Sequence, residues 1–203
     1  MNGRSIAEKV PKNTQKESMT RTINFATTNS RKIAEARKAL SGYDIGVVAI
    51  AVDIDEIQHQ DPAEITKAKA RAAYEVTHEP VVVQDTSWSI PALGGFPGGY
   101  MKDVSSWWQP DDWLKIMDGK DRTIICLEHI AYFDGQNMQH FEASYEGMFA
   151  RESRGVKGNS IEKTVCLYGN KTLAERHDRG DVASAAEGLV HWRRFAEWFT
   201  SAH

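Results

Sequence analysis

Apolar residues along the chain keep two periods, and each change of period marks an element. Arg21-Thr22-Ile23-Asn24-Phe25-Ala26 alternates polar and apolar, as a half-buried strand must, and runs into the polar turn Thr27-Thr28-Asn29-Ser30. Ile33, Ala36, Ala39 and Leu40 then recur at helical spacing, with Ser30 as N-cap and Ser41-Gly42 as the stop. Ile45 to Val52 predicts a second strand. After it, Asp53-Ile54-Asp55-Glu56-Ile57-Gln58 sets three acids among apolar residues, one face carboxylate and the other core. A helix beginning near Pro62-Ala63-Glu64 carries Ile65, Ala68, Ala72 and Ala73 on one side, with Lys67, Lys69 and Arg71 on others. Val81-Val82-Val83 is the β-branched run of a short buried strand. It is expected to stop at Gln84-Asp85-Thr86, so that Asp85 stands at its C-terminal end.

The second half reads as a loop from Ser105, a helix started by Pro110 with Asp111 and Asp112 in its first turn, and then a hairpin. Thr123 to Phe133 is one arm, Asp134-Gly135-Gln136-Asn137 the turn, and Met138 to Phe149 the return. That antiparallel pair makes the sheet mixed. Gly155 to Ser160 is a loop, Thr164 to Tyr168 a short strand, and Ala183 to Phe199 a helix with Leu189, Trp192, Phe195 and Phe199 on its apolar side. Met1 to Thr20 keeps no sustained period and is expected to be a tail, disordered or carried over from expression, with Met19 an alternative start. The fold class is α/β: one domain over 21–203 with a central twisted sheet flanked by helices.

Composition narrows this picture. At 203 residues and 41% hydrophobic, the chain can build one sizeable core or two lobes. A net charge of -3 argues against a general nucleic-acid binder, which needs a basic face to displace counterions. Cys126 and Cys166, each flanked by apolar residues, read as buried strand thiols of a reducing compartment. No apolar run reaches membrane-span length and no signal peptide is evident, so a cytoplasmic location is expected. His129, His140, His177 and His191 lack metal-ligand spacing, and no zinc site is expected. Ser87, Ser89 and Ser184 lack the elbow of a serine hydrolase.

Chemistry concentrates in two stretches. The free amides opening the first helix, with Thr27, Asn29, Arg31 and Lys32 crowded on the same turn, suit an anion, although an ordinary capped helix would look the same. In the second, Asp85 is followed by Gly94-Gly95-Phe96-Pro97-Gly98-Gly99 and Lys102. A carboxylate able to hold a metal and a lysine able to hold a phosphate are what phosphoryl chemistry asks for. A strand followed by a glycine-rich surface loop is the plainer alternative. Trp107, Trp108 and Trp113 suit packing or a dimer surface more readily than base stacking.

Taken in order, the turn Thr27 to Lys32, the segment Asp55-Glu56-Ile57-Gln58, and Gln84-Asp85-Thr86 through Gly99-Tyr100 resemble the inosine triphosphate pyrophosphatase family. The resemblance implies an elongated two-lobed α/β fold, usually a homodimer, that cleaves non-standard purine nucleoside triphosphates to monophosphate and pyrophosphate with Mg2+. It makes Thr27, Asn29, Lys32, Lys69 and Lys102 triphosphate contacts, adds Thr86 to the substrate site, and makes Glu56 a magnesium ligand. Asp85 becomes both a metal ligand and the catalytic carboxylate.

Departures cluster in the half that reads the base. Where members have an aromatic-glycine-aromatic-Asp-Pro motif, this chain has Gly158 to Lys163, keeping a carboxylate only at Glu162. Where they have Ser-His-Arg it has Ser184-Ala185-Ala186, and beside the catalytic aspartate it has Gln84 in place of an acid. Glu162 and Ser184 are therefore the expected remnants of the base site, with Trp88, Trp107 or Trp108 as a replacement stack. Two functions follow: a magnesium-dependent nucleoside triphosphate pyrophosphatase with altered base specificity, or a nucleotide-binding scaffold that kept the fold and lost turnover.

Overall fold

A computed structural model describes residues 21–183 and 188–202, so the expected tail and Ser184-Ala185-Ala186 lie outside the described residues. Its sheet has seven strands in the order β2-β1-β3-β5-β6-β7, with β4 paired to β3 off that path. These are β1 (Arg21–Ala26), β2 (Ile45–Ile50), β3 (Val81–Ile90), β4 (Phe96–Gly98), β5 (Thr123–Phe133), β6 (Met138–Phe149) and β7 (Val165–Cys166). The helices are α1 (Ser30–Leu40), α2 (Pro62–Thr77), α3 (Met101–Trp107), α4 (Pro110–Ile116), α5 (Leu173–Asp178) and α6 (Val190–Ala202). β1 runs parallel to β2 and β3, whereas the remaining pairings are antiparallel, so the sheet is mixed as expected.

Strand alternation decides what each face carries. Ile23, Phe25, Val82, Ile130 and Tyr132 pack against α1 and α6 through Ala36, Leu40, Trp192, Phe195 and Phe199. On the opposite face Ala26, Val81, Val83 and Ala131 meet Ala70 and Ala73 of α2. A further cluster lies beyond the middle of β3, where Trp88 and Ile90 join Trp113, Met117, Ile124, Phe149 and Ile161. The Val81-Val82-Val83 run is wholly buried because it is covered on both faces.

Several expectations need correction. β3 does not stop at Gln84; it continues to Ile90, because β5 pairs with it from Val81 to Ser89 and holds the polar residues extended. The cap of α1 is Asn29, whose side chain accepts from the Arg31 and Lys32 amides, and not Ser30. Ser105, Ser106 and Trp107 belong to α3, not to a loop. The buried side of α2 is Thr66, Ala70 and Ala73, one step round from the expected stripe. Cys126 is buried as expected, but Cys166 is only half-buried; both are free thiols. Among the described residues no helix is long and apolar enough to cross a membrane.

Trp192 is the keystone of the α6 contact. It is fully buried, its ring centroid lies 5.1 Å from Phe25 and 5.8 Å from Phe195, and its Nε1 has no hydrogen-bond partner among the described residues. Trp192→Ala is therefore expected to cost about 3–5 kcal/mol. Trp192→Phe, which keeps aromatic volume and loses no hydrogen bond, should cost about 2 kcal/mol or less. Urea denaturation of the two variants measures both values.

Candidate functional site

The site begins with a gap in strand pairing. Along one edge of β3, β1 pairs only with Val81 and Val82, and β4 only with Trp88 to Ile90. Between them Val83 to Ser87 has no strand on that edge among the described residues, while β5 holds the other. Into the gap come the turn after β1 with the start of α1, the irregular segment 51–60, and the glycine turn leading into α3. A cleft of about 400 Å³ results, lined by Asn29, Lys32, Glu56, Asp85, Thr86, Ser87, Gly98, Gly99 and Lys102 among others. Thus Asp85 sits in mid-strand, yet still beyond the carboxyl end of β1, where parallel strands open a crevice.

Local chemistry sets each side chain. In the 51–60 segment, Val52, Ile54 and Glu56 face inward while Asp53 and Asp55 are exposed, so only Glu56 of the three acids enters the cleft. The His59 carbonyl lies against Gly99 so closely that a Cβ there could not be accommodated, which seats this segment on the glycine turn. Of the glycines, Gly98 and Gly99 line the cleft; Gly94 and Gly95, both at positive φ, shape the turn into β4.

Two lysines and two carboxylates then interlock, with a third lysine beside them. Lys69 Nζ donates to Glu56 at 2.7 Å and to Asp85 at 2.8 Å, and Lys102 Nζ donates to the other Glu56 oxygen at 2.8 Å. Lys32 Nζ reaches the Gln84 carbonyl at 2.9 Å. Burial works against the Lys69 ammonium, but Asp85 and Glu56 outweigh it and raise its pKa. Burial also opposes the Glu56 carboxylate, yet hydrogen bonds and charge from Lys102 and Lys69 bring its pKa down to about 2. For Lys32 burial dominates and lowers the pKa, with Asp85 opposing. Asp85 Oδ2 and Ser87 Oγ are buried without a partner among the described residues. An unpartnered carboxylate oxygen beside an ionised glutamate suits a hard divalent cation, which takes oxygen ligands. Glu56 and Asp85 are the residues that could hold it.

A second cavity of about 270 Å³ adjoins the first, sharing Asn29, Lys32, Thr86, Met101 and Lys102 with it. It contains Glu162, as the sequence led us to expect, but in unexpected company. Arg31 bridges Glu35 at 3.5 Å and Glu162 at 3.4 Å, and the other Glu162 oxygen accepts the Asn159 amide at 2.8 Å. Burial raises the Glu35 pKa despite Arg31. Deeper in, Glu128 accepts from the Gln84 amide and the Thr86 hydroxyl, each at 2.9 Å, and Gln84 Nε2 lies 3.3 Å from His191 Nε2. Gln84 therefore turns to the sheet face opposite Asp85.

Of the other expected site residues, Thr27 does not line either cavity; its hydroxyl accepts the Asn29 amide at 3.1 Å and shapes the turn. Lys69 acts through its contacts to Glu56 and Asp85. Trp88 lines the second cavity, whereas Trp108 packs between Phe96 and Trp113 and Trp107 is 72% exposed. Sequence reasoning missed Glu35, Glu128 and His191. The signal for Glu128 was present: it interrupts the inward alternation Ile124, Cys126, Ile130 with a carboxylate.

Glu56 has a folded pKa of about 2, below its ordinary 4.5, so it contributes stability above pH 4.5 that is lost as the pH falls towards 2. The stability difference between the native chain and Glu56→Gln should accordingly shrink across that window, as followed by denaturant titration at successive pH values.

A dITP/XTP pyrophosphatase of Methanopyrus kandleri is 31% identical over 182 residues, covering 87% of this chain and 95% of that protein. Inosine triphosphate pyrophosphatase 1 of Trypanosoma cruzi is 34% identical over 177 residues, covering 83% and 88%. Among solved structures, a HAM1 protein from Coxiella burnetii superposes with a TM-score of 0.66 at 23% identity, over 90% of this chain and 98% of that one, which establishes a common fold. Residues 23–180, from β1 through α5, match the Ham1 family, and the chain belongs to it.

Proposed function

We propose that this chain is a nucleoside triphosphate pyrophosphatase, a hydrolase that cleaves the bond between the α and β phosphates to release a monophosphate and pyrophosphate. The observation that carries the reading is the Lys69 ammonium held between Asp85 and Glu56, with Lys32 and Lys102 on the same cleft. The names of the relatives point the same way. A divalent cation, Mg2+ by preference, would be held by Glu56 and Asp85 and would supply charge for the phosphate oxygens. Lys32, Lys69 and Lys102 spread the remaining negative charge of the triphosphate, and the N-terminal end of α1 turns the positive end of its dipole towards it.

Hydrolysis needs a water aligned with the anhydride and a base for its proton. Asp85 supplies that base, its carboxylate held on the cleft wall by the Lys69 ammonium. As the water oxygen bonds to phosphorus, its proton passes to the carboxylate and the bridging oxygen leaves with the other fragment. The amide at Gln84 does not weaken this arrangement, because it lies on the other face, bonded to Glu128. That argues for turnover over a scaffold role.

The second cavity would take the nucleoside. Its lining of Arg31, Glu35, Glu128, Glu162 and Tyr168 mixes carboxylates with a guanidinium already engaged by two of them. Ile161 is buried in the hydrophobic cluster and offers no stacking platform. That lining supports an altered base specificity.

Pyrophosphate release from a full panel of nucleoside triphosphates, with magnesium and with a chelator, tests the reading; no release from any of them would overturn it. Asp85→Asn should remove turnover while nucleotide binding stays within about tenfold, because shape is preserved. Lys32→Ala should instead weaken binding by about tenfold to a hundredfold, the worth of a charge-assisted hydrogen bond. For specificity, the ratio of kcat/KM for inosine over adenosine triphosphate should fall well short of about a thousandfold, since the hydrogen-bonding groups that enforce such ratios have been replaced.

A further inference from the structure

We infer that His129, His140 and Glu142 form a second cation site, on the β5–β6 hairpin, for a borderline-soft divalent ion of the zinc class. Spacing along the chain gave no hint of it, because the ligands come together across strands. His129 stands directly opposite Glu142 in the antiparallel register, and His140 lies two residues before Glu142, on the same face. His129 Nδ1 is 3.2 Å from His140 Nε2 and 3.8 Å from Glu142 Oε2, and the three ligand atoms all lie within 4.8 Å of one another.

These separations suit zinc. Tetrahedral bonds of about 2.0–2.1 Å place neighbouring ligand atoms about 3.3 Å apart. His129 has a side chain only 4% exposed and is fixed by its surroundings, whereas Glu142, at 63%, is free to swing inward. Burial lowers the pKa of both imidazoles, leaving them neutral with lone pairs to give. A simple N–H···N bond between the two rings, whose planes differ by 19°, would explain the 3.2 Å contact but not the carboxylate beside it. Three protein ligands leave a fourth position open to water or another donor. Two imidazoles favour zinc, copper or nickel over magnesium, so this site is chemically distinct from the all-oxygen pair Glu56 and Asp85. A cation on Nδ1 also fixes the remaining ring proton on Nε2, which is buried without a partner among the described residues; Asp85 stands opposite His129 on β3.

The test is equilibrium dialysis of the untagged, metal-stripped chain against zinc chloride, with excess magnesium to occupy the carboxylate site. One zinc per chain is expected, with affinity lowered about tenfold or more in His140→Ala. Cobalt bound in its place should give the intense visible absorption of tetrahedral coordination, lost in the same variant. Glu142→Gln, at an exposed position, serves should His140→Ala not fold, and is expected to weaken zinc in the same direction. Absence of zinc binding, or equal binding by the native chain and the folded variant, would overturn the inference, and neither result depends on whether nucleotides are hydrolysed.

Discussion

One ammonium group holds the cleft together. Lys69, on α2, is the bridge between Glu56 on an irregular segment and Asp85 in the middle of β3, three pieces of chain that share no strand pairing. All three side chains are mostly shielded, at 18%, 27% and 21% exposed, so the two carboxylates would repel strongly without a cation between them. Remove that charge and either the segment 51–60 moves away or one acid takes up a proton.

What makes room for this cluster is the incomplete edge of β3. A strand paired on both sides from Val81 to Ile90 would leave no crevice; β1 ends early and β4 joins late, and the five residues between them are held from one side only. Alternation along that stretch then separates two kinds of chemistry. Asp85 and Ser87 face α2 and the lysines, while Gln84 and Thr86 face Glu128 on the other side of the sheet. Thr86 lines both cavities and marks where they join.

The second cavity is lined by buried charge. Glu35, Glu128 and Glu162 are each under a tenth exposed, and Arg31 is shared between the first and the last. Burying three carboxylates around one guanidinium is costly unless each finds hydrogen bonds, and here Gln84, Thr86, Asn159 and Arg31 provide them. Gln84 belongs to that network, on the face away from Asp85.

By itself the sequence determined most of the elements and named five residues that the fold gathers at one cleft. Alternation in Arg21 to Ala26, the hairpin turn Asp134 to Asn137, and the periodic Leu189, Trp192, Phe195 and Phe199 are local signals, legible because strand and helix periods are local properties. Asn29, Lys32, Glu56, Asp85 and Lys102 were legible because their motifs stand in a fixed order along the chain. Three things were decided only by tertiary structure. β3 outran its apolar run because a neighbouring strand, not its own residues, held it extended. Glu35, Glu128 and His191 met in one cavity although their elements lie far apart in sequence. And Glu56 reached Lys69 because segment 51–60 seats its His59 carbonyl against Gly99, a contact between distant pieces of chain that no local period encodes.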